Sequence, residues 1–262
     1  MTNKFSVAVL AATALDEPAA SELAADLQLS LCPLSTRPRD CAEYSALLIL
    51  EGDAVSLQQT GRRAPGPVMV EFGSAAMRHR RRDGHNELLG KAVGLAKKSK
   101  MHVLDATAGL GRDSFVLADL GCQVILCERN AIVARMLSSG LAAAAGSEDK
   151  WVRSVLQRMT LHPGDAGSLG EAALENVDVI YLDPMFPDSG KSAMVKKEMA
   201  LFQQLLGSED DASELFAWAL AQDVARVVVK RPARAPELAG RKPSHVIAGK
   251  AVRYDVYVLR AL

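Results

Sequence analysis

The chain has 262 residues, of which 49% are hydrophobic, and its formal net charge is zero. This length suits one large α/β domain with a small additional domain, and the hydrophobic content excludes an intrinsically disordered chain. A neutral balance excludes a polycation but not local charged patches. No apolar run approaches the roughly 20 residues of a membrane span, and the N-terminus lacks a signal-peptide pattern, so we expect a cytoplasmic protein.

The cysteine pattern argues against a metal site and against disulfide bonds. The chain contains no CxxC pair, and no histidine lies at zinc-ligand spacing from a cysteine. We therefore expect reduced thiols in the core and no bound metal. The four residues are Cys32, Cys41, Cys122 and Cys127.

Residues 1–76 have the pattern of a separate small α/β domain. Short apolar runs bounded by turn residues predict strands, and one segment with helical spacing of its apolar residues predicts a helix. The expected strands cover residues 5–10, 46–50, 54–57 and 68–72, and the expected helix covers residues 18–27.

Residues 77–262 form a second predicted domain, in which helices and nearly continuous apolar strands alternate. This alternation requires a parallel sheet that is covered on both faces, and the last two strands suggest an antiparallel hairpin at its edge. The layout is Rossmann-like. The expected strands cover residues 102–104, 123–127, 159–161, 177–182, 226–230, 245–247 and 254–259, and the main expected helices cover 87–97, 130–144, 148–157, 195–206 and 213–222.

Three consecutive strand ends in this domain carry residues suited to a nucleoside cofactor. In an open parallel sheet, ligands bind beyond the carboxyl ends of the strands, where the strand order reverses. The first strand leads into residues 105–113 (DATAGLGRD), whose Gly109 and Gly111 let the backbone approach a ligand. The second ends at Glu128, which can accept both hydroxyls of a ribose, and the third ends at residues 164–165, where an adenine amino group could bind.

Two cofactors fit a glycine loop of this kind. A dinucleotide fold requires GxGxxG, and Ser114 stands here in place of the third glycine. S-adenosylmethionine has no pyrophosphate to bind, and it leaves room for Arg112 and Asp113 near its amino-acid end. The loop and Glu128 together therefore favour S-adenosylmethionine over NAD.

The fourth strand ends in residues 181–187 (YLDPMFP), which combine a carboxylate, a proline and an aromatic ring. An exocyclic amine of guanine or adenine is a poor nucleophile because its lone pair is conjugated with the ring. The carboxylate of Asp183 and the carbonyl of Pro184 could draw the amine hydrogens out of the ring plane, while Phe186 stacks on the base. The motif therefore predicts catalysis of methyl transfer to a nucleobase amine.

Together these motifs resemble the bacterial ribosomal RNA small subunit methyltransferase J family. The likeness covers about residues 68–257, whereas the first 65 or so residues resemble that family only loosely. It implies a class I S-adenosylmethionine-dependent methyltransferase fold and methylation of N2 of a guanosine in 16S rRNA of the small ribosomal subunit. The matching segments are residues 77–81 (MRHRR), 105–113, 128–130 (ERN), 181–187, 191–199 (KSAMVKKEM), 228–232 (VVKRP) and 253–255 (RYD).

The loop pattern and the resemblance together define an expected cofactor site. In the wider group of amino-methyltransferases a second proline usually follows the first, and Met185 replaces it here, as it does in the J family. Whether Asp183 mainly holds the substrate amine or the cofactor is open. The residues expected to contact S-adenosylmethionine are Asp105, Gly109, Gly111, Arg112, Asp113, Glu128, Arg129, Gly164, Asp165 and Asp183.

Basic residues form several clusters in this neutral chain, and we expect some of them to bind RNA phosphates. One cluster lies at the start of the second domain, one follows the Asp183 motif, and one ends the fifth strand of the predicted sheet. The residues expected to contact RNA are Arg78, Arg80, Arg81, Lys191, Lys196, Lys197, Lys230 and Arg231.

Three alternative functions are compatible with parts of this pattern. An adenine-N6 methyltransferase acting on RNA or DNA would use the same residues around Asp183. An NAD-dependent oxidoreductase is disfavoured by Ser114. A non-catalytic RNA-binding assembly factor on the same fold would have no need for both Glu128 and Asp183. The sequence predicts no oligomeric state.

Overall fold

The structure is a computed structural model, and it describes residues 5–82, 87–184, 201–202, 205 and 212–262, apart from the side chain of Arg80. The chain divides into two units. The first contains residues 1–71, 131–143 and 187–208, and the second contains residues 72–130, 144–186 and 209–262. Within the described part of the chain, no helix is long and apolar enough to cross a membrane.

The first unit contains a five-stranded sheet and a helix from the N-terminal part of the chain. These elements are β1 (Val7–Ala11), α1 (Glu17–Asp26), β2 (Ser30–Leu31), β3 (Ala46–Glu51), β4 (Ala54–Gln59) and β5 (Val68–Met69), and the sheet order is β2-β1-β3-β4-β5. Strands β1 and β3 are parallel, and β3 continues into an antiparallel hairpin with β4. Ala8, Leu10 and Leu47 lie in its buried core, as the apolar runs predict.

From residue 72 onward the chain continues with further α-helices and strands. The helices are α2 (Ala75–Arg82), α3 (Glu87–Val93), α4 (Arg112–Asp119), α5 (Ala131–Ala145), α6 (Lys150–Leu156), α7 (Glu171–Leu174) and α8 (Ala212–Leu220). The strands are β6 (His102–Asp105), β7 (Gln123–Glu128), β8 (Met159–Pro163), β9 (Val179–Leu182), β10 (Arg226–Pro232), β11 (His245–Ala248) and β12 (Val252–Val258).

The seven strands form one sheet in the order β11-β12-β10-β9-β6-β7-β8. Strands β6 to β10 pair in parallel, whereas β12 is antiparallel to both β10 and β11. The chain runs outward from β6 to β8 and then returns to β9 on the other side of β6, so the strand order reverses between β6 and β9. The predicted Rossmann-like sheet with an antiparallel hairpin at its edge is confirmed.

The central strands are buried on both faces, which explains their nearly continuous apolar sequences. All four residues of β9, Val179–Leu182, are completely buried, and so are Val227, Val228 and Val229 of β10. Branched side chains of this kind favour strands because they pack well on a pleated surface. The central strands therefore form a rigid support for the residues at their carboxyl ends.

The cysteines are free thiols, as the sequence predicts. Cys122 and Cys127 lie in the core of the second unit, where burial raises the pKa of each thiol to about 12. Neither residue therefore forms a thiolate at neutral pH, and both act as small apolar side chains.

Several elements differ from those predicted. Strand β2 and helix α7 were not expected, and β5 ends at Met69 rather than at residue 72. Helix α3 ends at Val93 rather than at residue 97, because Gly94 adopts a left-handed φ of 96° that ends the helix. Helix α2 was not predicted, since its sequence AAMRHRRR has no apolar periodicity. The predicted helix over residues 195–206 lies almost entirely outside the described residues.

Helix α5 packs on the sheet of the first unit, a grouping that the sequence pattern did not predict. The hydroxyl of its Ser139 donates to the carbonyl of Asp53 at 2.8 Å and accepts from the backbone N–H of Val55 at 3.0 Å. Gly140 approaches β5 so closely that a Cβ there would lie 2.4 Å from Val70 Cγ1 and 2.8 Å from the Val70 carbonyl oxygen. Only glycine fits at this crossing without a shift of the backbone.

Replacing Gly140 with alanine should destabilise the protein, although alanine is the better helix former. Overpacking costs about 1–3 kcal/mol, whereas alanine gains at most about 1 kcal/mol over glycine in a helix. We expect the free energy of unfolding, measured by urea denaturation, to fall by about 1–2 kcal/mol. Gly66→Ala is the matched control, because an added Cβ there meets no atom within 4 Å. Equal stability of the two variants would contradict the proposed close approach.

Candidate active site

The loop that follows β6 is held in place by backbone hydrogen bonds to two neighbouring strands. The N–H of Ala106 donates to the Tyr181 carbonyl of β9 at 3.0 Å, and the N–H of Ala108 donates to the Cys127 carbonyl of β7 at 2.9 Å. The loop thus lies across the strand ends where the sheet order reverses, as the sequence predicts.

Two glycines give this loop its shape. Gly109 and Gly111 have left-handed φ values of 54° and 70°, which residues with a Cβ rarely adopt. Gly111 directly precedes α4, and its N–H donates to the Ala108 carbonyl at 2.8 Å. The turn therefore exposes loop backbone rather than side chains on the ligand side of the sheet.

Glu128 is buried at the end of β7, and both of its carboxylate oxygens accept backbone N–H groups. Oε2 accepts from Gly109 at 2.8 Å and Oε1 accepts from Asn130 at 2.8 Å. Burial raises the pKa of Glu128, and these two hydrogen bonds oppose that rise. A carboxylate has about four acceptor positions, so Glu128 can also accept the two hydroxyls of a ribose.

Residues 164–165 are joined to Glu128 by a hydrogen bond between backbone groups. The N–H of Gly164 donates to the carbonyl oxygen of Glu128 at 2.8 Å. The exposed Asp165 accepts from the N–H of Gly167 at 2.7 Å and so caps a short 3-10 turn. The structure therefore brings the ends of β7 and β8 together. The predicted contact of Asp165 with an adenine stays a prediction.

Ionisable and polar side chains from three adjacent strands share one face of the sheet, the face toward α4. Asp105 pairs with Tyr181 in the strand register, and Tyr181 pairs with Val228, two residues before Lys230. Side chains in register or two residues apart on a strand point to the same face. Asp105, Tyr181 and Lys230 therefore form a polar row beneath the first turn of α4.

Asp105 is almost completely buried and is satisfied by uncharged donors. It accepts from the hydroxyl of Ser114 and, at 3.1 Å, from the N–H of Thr107. Burial raises the pKa of Asp105 to about 7, although these hydrogen bonds act in the opposite direction. This residue holds α4 against β6 rather than facing a ligand. Ser114, which breaks the dinucleotide pattern, thus has a structural partner.

Lys230 bridges two carboxylates at the centre of the site. Its ammonium lies 2.6 Å from Oδ2 of Asp113 and 2.7 Å from Oδ2 of Asp183. The hydroxyl of Tyr181 also donates to Oδ2 of Asp113 at 2.7 Å. Burial alone would lower the pKa of Lys230, but the charges of Asp113 and Asp183 outweigh it and raise that pKa. The bridge is therefore ionic at every physiological pH.

Asp183 occupies the mouth of this cluster. Its backbone N–H donates to Oγ1 of Thr107 at 2.7 Å, which ties the end of β9 to the glycine loop. The side chain of Asp183 is 37% exposed, whereas that of Asp113 is 9% exposed. Pro184 is buried behind it, and Phe186 lies outside the described residues. Asp183 is the carboxylate of the cluster that a substrate can reach.

Two arginines of α2, Arg78 and Arg81, have intramolecular partners that the sequence did not predict. Arg78 forms an ion pair with Asp149, and Arg81 pairs with Asp119 at 2.9 Å. Both guanidinium groups also lie 5.1 Å from the ring centroid of Trp151, a cation–π distance. These contacts fix α2 to α6 and α4, while about half of each arginine side chain is exposed.

The remaining predicted RNA contacts fall into two groups. Lys191, Lys196 and Lys197 lie outside the described residues, as does the side chain of Arg80. Arg231 is 3% exposed and donates to the Pro236 carbonyl, so the structure gives no support to a phosphate contact there. The ammonium of Lys230 likewise pairs with two carboxylates of the protein, so it is not exposed for a phosphate contact. The sequence missed this because its pattern does not show which face of β10 meets α4.

The acceptors and backbone of this site fit S-adenosylmethionine. Among the described residues, the cluster has the two carboxylates of Asp113 and Asp183 against the one ammonium of Lys230, and Glu128 adds a carboxylate at the end of β7. An acidic site of this kind suits a ligand that carries hydroxyls and positive charges. S-adenosylmethionine has a ribose diol, an ammonium and a sulfonium. The exposed Arg112 and Arg129 follow the glycine loop and β7 directly.

Comparisons with known proteins identify the family. The family model for SAM-dependent methyltransferases matches residues 34–259. The ribosomal RNA small subunit methyltransferase J of Marinobacter nauticus is 48% identical over 229 residues, which cover 86% of this chain and 82% of that relative. The protein of the same name from Thioalkalivibrio sulfidiphilus is 48% identical over 245 residues, which cover 91% of this chain and 92% of the relative.

A solved structure of similar fold is also a methyltransferase. The crystal structure of a SAM-dependent methyltransferase from Neisseria gonorrhoeae has a TM-score of 0.70 with this chain at 35% sequence identity, and the match covers 95% of each chain. The chain is a SAM-dependent methyltransferase and belongs to the ribosomal RNA small subunit methyltransferase J family.

Proposed function

We propose that this enzyme transfers a methyl group from S-adenosylmethionine to the exocyclic N2 of a guanosine in 16S rRNA of the small ribosomal subunit. The relatives that match most of the chain are named as methyltransferases of small-subunit ribosomal RNA. The observation that carries the chemistry is the position of Asp183, a partly exposed carboxylate whose backbone is bonded to the glycine loop.

Asp183 and Pro184 would act on the acceptor amine. A carboxylate and a carbonyl oxygen that accept both amine hydrogens favour a pyramidal nitrogen, whose lone pair is then available for attack. Hydrogen bonds to a charged acceptor contribute about 1.5–3 kcal/mol, which corresponds to about one to two decades in rate if they strengthen in the transition state. Phe186 would stack on the base and hold its plane.

Glu128 and the glycine loop would hold the cofactor. Glu128 would accept the ribose hydroxyls, and the backbone around Gly109 and Gly111 would lie against the ligand. When it is bound, S-adenosylmethionine supplies an electrophilic methyl group on a positively charged sulfur. The chain's own task is then to align the amine with that group, and such alignment supplies a large share of the rate.

The reaction needs no strong base in the protein. The amine nitrogen gains a methyl group and loses one proton, which can pass to water after the new bond has formed. The ammonium of Lys230 cannot take that proton, because its pKa is raised by Asp113 and Asp183. Asp105, although its pKa is about 7, is sealed beneath α4.

Basic residues near the site would bind the RNA backbone. Lys191, Lys196 and Lys197 follow the Asp183 motif closely in sequence, and we propose that they contact phosphates beside the target base. Arg78 and Arg81 could extend this track, since about half of each side chain is exposed despite its ion pair. Phosphate contacts of this kind determine affinity and position rather than the choice of base.

Methyl transfer to small ribosomal subunits that lack this modification should depend on Asp183. With tritium-labelled S-adenosylmethionine, we expect Asp183→Ala to lower the single-turnover rate by about 10- to 100-fold, because the amine loses a charged acceptor. Asp223→Ala is the matched control, since the side chain of Asp223 is 96% exposed. Nuclease mapping of the product should find label in N2-methylguanosine. Label in N6-methyladenosine, or no label with the unaltered enzyme, would overturn the proposal.

Glu128→Gln should weaken cofactor binding more than the chemical step. The amide would point hydrogens at the N–H donors of Gly109 or Asn130 and would accept fewer ribose hydrogens. We expect the Kd for S-adenosylmethionine, measured by calorimetry without RNA, to rise by about tenfold or more. Glu171→Gln, an exposed glutamate at the start of α7, should bind like the unaltered protein. An unchanged Kd would remove Glu128 from the cofactor site.

Binding to the small subunit should weaken steeply with salt. Each phosphate contact contributes about 0.7 to 0.9 to the slope of log affinity against log salt concentration. We expect the double variant K196Q/K197Q to reduce this slope by about one to two units, as measured by filter binding at several salt concentrations. Lys250→Gln, an exposed lysine between β11 and β12, serves as the control. A slope equal to that of the unaltered protein would exclude both lysines from the interface.

A further inference from the structure

We propose that Lys230 is a positioning residue for methyl transfer, which holds the carboxylate of Asp183 ionised and oriented for the acceptor amine. This inference rests on the proposed function, because it assigns Asp183 to the substrate. It replaces the predicted phosphate contact of Lys230 with a role inside the active site.

The geometry supports a bridge rather than an isolated ion pair. The Lys230 ammonium lies within hydrogen-bond distance of one oxygen of Asp113 and one oxygen of Asp183, at 2.6 and 2.7 Å. Asp113 is fixed in turn by the Tyr181 hydroxyl at 2.7 Å. Asp183 is thereby connected to the first turn of α4 and to the fully buried strand β9. A side chain anchored in this way keeps one orientation before the substrate arrives.

Lys230 is surrounded by acidic groups, and its positive charge is what keeps Asp183 ionised among them. Among the described residues, the titratable groups that face it are Asp105 from β6, Asp113 from α4, Tyr181 from β9, Asp183 after β9 and Tyr254, which pairs with Lys230 in the register of β12. Three of these groups are carboxylates. Without the ammonium, the like charges of Asp113 and Asp183 would oppose each other at close range.

Removal of the ammonium should therefore promote protonation of this carboxylate pair. Like charges that share a partly buried site favour uptake of a proton as the pH falls. A protonated Asp183 would be a weaker acceptor for the amine hydrogens and would present a donor of its own. The expected signature is a loss of activity that is larger at low pH than at high pH.

A purely structural role for Lys230 would have a different signature. Breaking a buried ion pair destabilises a protein whatever else the pair does, so a lower melting temperature alone would not distinguish the two roles. Loss of folded protein reduces the number of active molecules, but it leaves the shape of the pH profile of those molecules unchanged. The pH profile is therefore the decisive measurement.

The experiment compares Lys230→Met, Lys230→Arg and the exposed control Lys250→Met. Single-turnover transfer to unmethylated small subunits is measured from about pH 6 to about pH 9, and rates are expressed per molecule competent to bind S-adenosylmethionine in calorimetry. We expect the single-turnover rate of Lys230→Met to fall by about tenfold or more at pH 7. The acid limb of its pH–rate profile should move to higher pH, and the rate should partly recover at pH 9. We expect Lys230→Arg to keep the unaltered profile, because the positive charge remains.

Each outcome supports or overturns the inference. A Lys230→Met profile that keeps its shape, or an equal loss in Lys230→Arg, would show that the lysine does not act through the charge of Asp183. If Lys230→Met does not fold, Lys230→Gln gives the same test, since it removes the positive charge and keeps N–H donors. Failure of the unaltered enzyme to methylate the subunit would refute the proposed function instead, so the two failures are distinguishable.

Discussion

Parallel pairing of β6 with β9 is the constraint on which the active site depends. The chain lays down β6, β7 and β8 in one direction and then returns to the other side of β6, so two loops diverge at this point and leave a cleft. The hydrogen bond between the N–H of Asp183 and Thr107 crosses the same junction at 2.7 Å. The cofactor loop and the substrate motif are therefore parts of one backbone assembly.

Burial disfavours the charged form of two residues in this assembly, but the outcome differs because their partners differ. Asp105 is surrounded by the uncharged donors Ser114 and Thr107, and burial raises its pKa to about 7. Lys230 is also mostly enclosed, yet two carboxylates outweigh the cost of its burial and keep it charged. Lys230 thus stays charged beside the carboxylate that a substrate can reach, whereas burial beneath α4 favours the neutral form of Asp105. This difference follows from which side chains each strand face contributes.

The sequence was sufficient to predict the sheet, the glycine loop and the order of the strand ends, because strong local signals mark each of them. Apolar runs mark the strands, and Gly109, Gly111 and Glu128 stand at fixed spacings after them. It was not sufficient for Lys230, whose role depends on the long-range register of β10 against β9. Nor could it show that Arg78 pairs with Asp149, since that contact joins residues 71 positions apart.

The inclusion of α5 in the first unit bears on how the chain folds during synthesis. Until residues 131–143 have left the ribosome, Val55 and Asp53 lack their hydrogen-bond partner Ser139, and the surface around Val70 is uncovered. By then β6, α4 and β7 of the second unit have already been translated. The two units are thus interleaved along the chain, and vectorial folding of one before the other, which is common in multidomain proteins, does not apply here. A fragment cut after the N-terminal sheet would lack the helix that packs on that sheet.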